Sequence, residues 1–418
     1  MIAAAQAPLA AIEGIEICKT NSALAPEFLL TAACCRWPAS QTRAAAVRDA
    51  AKNVTDWDRF LAVVQRHRVI VLAYNALRAA GIALPPAVAK ELESRAQRII
   101  HRSLNSAAET ARLQNLITVA GTPVVVLKGV ALEQLAYASL STKQTRDIDL
   151  LVPPDCAGEA LQILERDGYT LSLPARKLSA MQRQALICYG REVELIDMRR
   201  KLRVELQWRA ADNPLLLKGI DAHAKTQKVM LSERAAVRTL APDDLFAFLC
   251  VHGARHSWSR LKWLADLNAL IASRNLEIEH VYRHAQNIGA GLCAAQALSL
   301  CERLMGLKLP SNLAREFDAD KRCRRLIAIA MRAMMTPYAA DGDAGTGGVA
   351  RELRNQFLLG RGLRFYTAQC LLASAGTADI VRLPLPRPLH FIYPLVRVPL
   401  WLWRRMKLAC LPPRLHAG

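Results

Sequence analysis

The sequence predicts an α+β protein: a small mixed sheet with helices, residues 119–240, lies between an N-terminal helical domain, 25–118, and a C-terminal helical domain, 241–335. Three observations carry this expectation. Two strand-like runs, Val124-Val125-Val126-Leu127 and Asp147-Ile148-Asp149-Leu150-Leu151-Val152, stand on either side of a helical segment at 131–137. Residues 192–198 and 202–208 alternate around Arg199-Arg200-Lys201, as the arms of a hairpin do. Outside this block the apolar residues recur with the period of 3.6 that marks amphipathic helices.

In the N-terminal region Asp56 or Thr55 can cap a helix carrying Trp57, Phe60, Leu61 and Val64. A second helix at 71–80 stops at Gly81, and Pro85-Pro86 opens a long one that runs to about Val119. His67 and His101 read as ordinary helix residues, and the region reads as a packing and lid module, with a cap over the site as the alternative.

The central block carries the chemistry. Lys128-Gly129 follows the first apolar run at a turn into the helix. In the next strand Asp147 and Asp149 are two apart, so both carboxylates leave one face while Ile148 and Leu150 enter the core. Paired carboxylates repel unless water or a cation reaches them. Hard divalent cations such as Mg²⁺ take oxygen ligands of this kind together with substrate phosphates. A glycine before a helix adds close backbone approach and the positive end of the helix dipole. From spacing alone a half-exposed strand edge with two solvated aspartates reads equally well. Beyond it, Pro153-Pro154-Asp155 caps a helix at 157–166 that Gly168 ends, a strand follows at 169–173 and a helix at 177–186. In the second hairpin arm Leu202, Val204, Leu206 and Trp208 share one face, and Arg203, Glu205 and Gln207 the other.

These residues resemble the DNA polymerase beta-like nucleotidyltransferase superfamily, and within it the bacterial group described as uncharacterised nucleotidyltransferase family proteins. The resemblance rests on Leu127-Lys128-Gly129, on Tyr137 near a helix end, and on Arg146-Asp147-Ile148-Asp149-Leu150-Leu151-Val152. It implies a polymerase beta-like core in which Asp147 and Asp149 hold Mg²⁺, while Lys128, Gly129 and Arg146 meet the nucleotide phosphates. Val130 stands where the superfamily usually has a second glycine or a serine. A third carboxylate is expected from a neighbouring strand, where the group often reads Val-Asp-Leu-His-Trp. Here that strand is Val204-Glu205-Leu206-Gln207-Trp208, which makes Glu205 the expected third ligand and sets Gln207 in place of a histidine. Asp197 and Glu194 are the fallback acids.

The C-terminal helical region starts at Pro242-Asp243-Asp244 and contains His252-Gly253-Ala254-Arg255-His256-Ser257-Trp258, then Arg260-Leu261-Lys262-Trp263-Leu264-Ala265-Asp266-Leu267. Two histidines four apart can share a helical face, but a zinc protease pattern needs Glu where Gly253 stands. The block resembles the same group, which implies that His252, His256, Arg260, Lys262 and Asp266 border the cleft and bind base, phosphate or acceptor. A capped helix pair with amphipathic aromatics is the structural alternative.

Residues 336–350 read as a linker and 351–418 as a basic region rich in proline and aromatics, with a helix at 351–373. Arginines mixed with Phe391, Tyr393, Trp401 and Trp403 suit either packing on the body or peripheral contact with an anionic bilayer at the inner membrane. Over the whole chain a formal net charge of +20 favours anionic partners. The eleven cysteines show no CxxC pair or Cys/His ligand spacing, so no structural zinc is expected, and the thiols suit a cytoplasmic protein. The N-terminus lacks a basic start and long apolar core. The function expected is transfer of an NMP from an NTP, ATP first among them, to an acceptor that is a small molecule, glycan, peptide or RNA. The alternative is a non-catalytic nucleotide- or RNA-binding module on a degenerate transferase fold.

Overall fold

The computed structural model describes residues 24–143, 145, 147–172, 178–335 and 353–374, with 380–381, 383, 389, 392–393 and 395 beyond them. Five strands form the main sheet: β1 (Val125–Val126), β2 (Asp147–Leu151), β3 (Thr170–Leu171), β4 (Glu192–Asp197) and β5 (Leu202–Gln207), in the order β1-β2-β5-β4-β3. β2 and β5 run parallel and every other pair is antiparallel, so the sheet is mixed. The register sets Asp149 opposite Glu205 and Asp147 opposite Arg203. Paired residues on adjacent strands point to the same side, so the polar face of β5 continues the polar face of β2.

Helices surround this sheet. The N-terminal set comprises α1 (Pro26–Cys34), α2 (Gln41–Ala51), α3 (Trp57–His67), α4 (Ile70–Ala79) and the long α5 (Pro86–Val119). Asp56, not Thr55, caps α3, accepting from the backbone of Arg59 at 2.8 Å. Within the sheet region lie α6 (Val130–Tyr137), α7 (Ala157–Arg166) and α8 (Ala180–Tyr189). No side chain caps α7, where Asp155 was expected to, and Cys156 holds the N-cap position. α8 begins three residues later than the pattern suggests because Ser179 and Gln182 form a reciprocal capping box.

A second hairpin, β6 (Thr226–Met230) and β7 (Ala236–Leu240), is absent from the sequence reading. Its turn has no glycine or proline, and its strands mix polar and apolar residues without clean alternation. Gln114 of α5 ties it to β1: its amide donates to the carbonyls of Val124 at 3.1 Å and Arg238 at 3.0 Å, and its carbonyl accepts from Arg238 N at 2.7 Å. The link covers the edge beside β1.

The C-terminal helices are α9 (Pro242–Arg255), α10 (Leu261–Ser273), α11 (Ile278–Asn287), α12 (Gly291–Met305), α13 (Ser311–Ala319) and α14 (Lys321–Met335), followed by α15 (Leu363–Ser374). Most buried side chains form one cluster that includes Phe28, Leu113, Leu150, Leu206, Phe246, Leu267 and Phe365. All three sequence regions therefore contribute to one core. No helix among the described residues is long and apolar enough to cross a membrane. The expected linker at 336–350 and almost all of the tail from 382 lie outside the described residues.

Candidate active site

Gly129 turns the chain from β1 into α6 with φ +66° and ψ −128°, a conformation that strains any residue with a Cβ. Leu127 N donates to Asp149 O at 3.0 Å, which holds this turn beside β2. The loop entering β2 is fixed from α6. The carboxylate of Glu133, fully buried, accepts from the backbone of Thr142 and of Lys143, each at 2.7 Å. Ser103 of α5 donates to Lys143 O at 2.9 Å. Asp266 of α10 accepts from Tyr137 Oη at 3.0 Å and pairs with Lys143 Nζ at 2.9 Å. Asp266 thus lies beneath the loop as an anchor, 3% exposed, rather than on an open wall.

On the polar face of the sheet, Asp147 and Asp149 of β2 stand beside Arg203, Glu205 and Gln207 of β5, with Glu192 and Glu194 of β4 next to them. Lys128 Nζ lies 2.6 Å from Asp149 Oδ1 and 3.6 Å from Glu205 Oε2. The Gln207 amide donates to the same two oxygens at 3.3 and 3.4 Å. Two carboxylates from neighbouring strands therefore converge on one ammonium. Among the described residues no set of three His, Cys, Asp or Glu side chains is gathered as a metal cage. The physical reason is visible in the distances: Lys128 already fills the space between Asp149 and Glu205, and it points into the carboxylates rather than away from them.

Charge follows this arrangement. Burial alone would lower the pKa of Lys128, but Asp149 and Glu205 outweigh it and hold the ammonium protonated. Burial pushes Asp149 well above the usual carboxylate range. Glu205 would also rise on burial, but Lys128 and neighbouring donors bring it down to about 2. Asp147 is half-buried and pushed up by burial and then by Glu205, while Lys128, Lys262 and Arg203 pull the other way.

The C-terminal helices bring His252 and His256 near this cluster. His256 stacks on Trp263 at 5.2 Å and 18°, and His252 meets His256 edge-on at 4.9 Å. Burial keeps both imidazoles neutral, His256 at about 3, and the charge of Lys128 adds to the effect in each. Lys262, 5.7 Å over the Trp263 ring, is pushed well down by burial and by Arg68, Lys143 and Lys128. Arg260 is the N-cap residue of α10. Arg146 lies outside the described residues.

Of the fallback acids, Glu194 shares the polar face and pairs with Arg203 at 3.2 Å. Asp197 faces the opposite side, 1% exposed, and closes the β4–β5 turn by accepting from Arg199 N at 2.8 Å and Arg200 N at 3.0 Å. Three residues that sequence reasoning missed extend the cluster. Arg191 donates to Gln207 Oε1 at 3.0 Å and pairs with Asp212 at 3.2 Å, and Asp212 pairs with Arg255 at 2.9 Å. No local pattern marks them, because each partner lies on a different segment.

A family model for uncharacterised nucleotidyltransferases matches residues 53–306, more than half of the chain and all of the residues just described. No curated protein matches the chain.

Proposed function

This chain belongs to the uncharacterised nucleotidyltransferase family, and on that footing we propose that it transfers an NMP from an NTP, ATP first, to an acceptor, with release of pyrophosphate. The observation that carries the reading is the convergence of Asp149 and Glu205, from two parallel strands, on one cationic group opposite the Gly129 turn. Carboxylate oxygens from neighbouring strands, organised around a positive charge, are the kind a divalent cation takes, provided Lys128 moves out from between them. Asp149 and Glu205 would hold Mg²⁺, with Asp147 completing the set. When bound, the ion would neutralise these oxygens together with those of the polyphosphate, which is its usual part in phosphate chemistry.

The remaining work falls to the chain's own groups. Lys128 is displaced from the carboxylates and pairs with the outer phosphates, a role that suits a compact ammonium on a flexible stem. The backbone at Gly129 and the N-terminus of α6 present N–H groups to the same anion. Glu205 is held low by its pairing with Lys128, so it becomes a stronger base once that ammonium moves to the phosphates, and it stands with Asp147, half-buried at the start of β2, as a candidate to take the acceptor's proton. Transfer is then accelerated by positioning and by fixed charge rather than by a covalent intermediate. His252, His256 and Lys262 form the wall on the α9–α10 side, where neutral imidazoles and a suppressed ammonium can donate to phosphate or base.

A second reading, a nucleotide- or RNA-binding module without transfer, is favoured by one observation: Lys128 and Gln207 already satisfy the carboxylates that a metal would need. The two readings separate on pyrophosphate release. Purified protein is incubated with each NTP, Mg²⁺ and a fractionated cell extract as the source of acceptor. Release that depends on Mg²⁺ and disappears in Asp149→Asn supports transfer. Undiminished release in a folded Asp149→Asn protein counts against it, and nucleotide binding without release supports the second reading.

A further inference from the structure

A cleft of about 540 Å³ opens between α5 and the β4–β5 hairpin, and Asp147 forms part of its wall. Among the described residues Arg68, Arg102, Arg200, Lys201 and Arg203 line it, against the carboxylates of Asp147 and Glu194. Five cations against two anions leave an excess of positive charge in a confined space. Part of that charge is committed: Arg203 pairs with Glu194 at 3.2 Å, and Arg200 with Asp197 at 2.6 Å. Arg102 and Lys201 are exposed and have no ion pair among the described residues. They come from different segments, the middle of α5 and the hairpin turn. A solvated helix face would not place them around one hollow.

We propose that this cleft is the acceptor subsite and that the acceptor is a small molecule bearing a phosphate group. Continuity with the transfer centre comes from Asp147, which belongs to both. An acceptor whose phosphate rests on Arg102 and Lys201 can present its nucleophilic oxygen to the β2 end of the site. Positive charge also runs inward from the cleft. Arg68, on its wall, is among the cations that press on Lys262, with Asp266 as the counter-charge. An incoming anion relieves that crowding.

Size and lining favour a small ligand over nucleic acid. The volume lies within the roughly 300–1,000 Å³ of small-molecule pockets. Among the described residues no aromatic side chain lines the cleft, so they offer no stacking platform for unpaired bases, the usual means of gripping single-stranded RNA. The acceptor role rests on the transferase reading; the anion site does not.

The test uses the full chain, with inorganic phosphate as probe, measured by titration calorimetry with and without Mg²⁺ and a non-hydrolysable ATP analogue. The Arg102→Ala/Lys201→Ala double variant changes only exposed side chains outside the transfer centre. Phosphate affinity should fall at least tenfold in the variant, and affinity for the analogue should stay within twofold. Unchanged phosphate affinity in the folded variant overturns the proposal. A ten-nucleotide RNA that binds the wild type, loses affinity in the variant and competes with phosphate would identify a nucleic-acid surface and overturn it too. If phosphate binding falls as expected but no NTP ever yields pyrophosphate, the anion site stands and the acceptor role fails with the transferase reading.

Discussion

The ammonium of Lys128 lies 2.6 Å from Oδ1 of Asp149, in the space between two parallel strands, with Glu205 Oε2 3.6 Å away on the other side. One lysine thus serves two acids: Glu205 is held charged by it, while burial pushes Asp149 up. Removing one partner of a buried pair leaves an uncompensated charge, at a cost of about 3–5 kcal/mol. Lys128→Met should therefore lose stability of that order in EDTA near pH 7, less whatever Glu205 recovers by taking up a proton. Millimolar Mg²⁺ or Mn²⁺ should restore much of the loss, because a ligand that binds only the folded state stabilises it. Urea unfolding with and without the ion reads both effects. A variant as stable as wild type in EDTA would show that the ion pair contributes nothing.

Glu133 sets the pH response of the loop before β2. Burial pushes its carboxyl from 4.5 up to about 7, against two backbone donors that favour the charged form. The folded chain therefore holds this proton more tightly than the unfolded chain. Its stabilising contribution is complete below about 4.5 and is lost as pH rises through about 7. Glu133→Gln keeps an oxygen for Thr142 and Lys143 and cannot ionise. The variant should gain on wild type between about pH 4.5 and pH 7, by at most about 1.4 kcal/mol per pH unit. A stability difference that is flat across that range rules this out.

His67 acts in the opposite direction. Its Nδ1 accepts from Leu261 N at 3.1 Å and so joins α3 to the start of α10. Burial, helped by Arg66 and Arg260, lowers its pKa from 6.5 to about 3. The unfolded chain takes up a proton here before the folded chain does. Stability is present above about 6.5 and drains away as pH falls toward about 3. In His67→Gln, whose side-chain oxygen can still accept from Leu261, the loss between pH 6.5 and pH 5 should be shallower than in wild type. Parallel pH profiles for the two proteins would refute the assignment.

Gly253 is required for packing. A Cβ there would collide with the Trp258 ring. The ring cannot give way easily: it is fully buried, and its Nε1 donates to Gln296, which in turn donates to Leu326 O at 2.7 Å. Gly253→Ala should cost about 1–3 kcal/mol despite the better helix propensity of alanine. Thermal denaturation is the direct check, and an unchanged or higher Tm would contradict the packing.

Much of the sheet was legible because strand periodicity is local. Alternation within 147–152 and 202–208 assigns each residue to a face without knowledge of its neighbours. The hairpin at 226–240 was not legible, since its turn carries no glycine or proline and its strands depend on Gln114 of a distant helix. The same holds for Asp266: the family resemblance implied a cleft residue, but Tyr137 and Lys143, more than a hundred positions away, claim both of its oxygens.

By itself the sequence determined the family, the α+β class, the shared face of Asp147 and Asp149, and the face of β5 that carries Glu205. Each of these follows from short-range pattern, which backbone geometry converts directly into direction. Only the tertiary structure decided that β5 lies parallel to β2 with Asp149 opposite Glu205, and that Lys128 turns back between them. Those outcomes depend on distances across the fold, and electrostatic partners are chosen by distance and burial rather than by position in the chain.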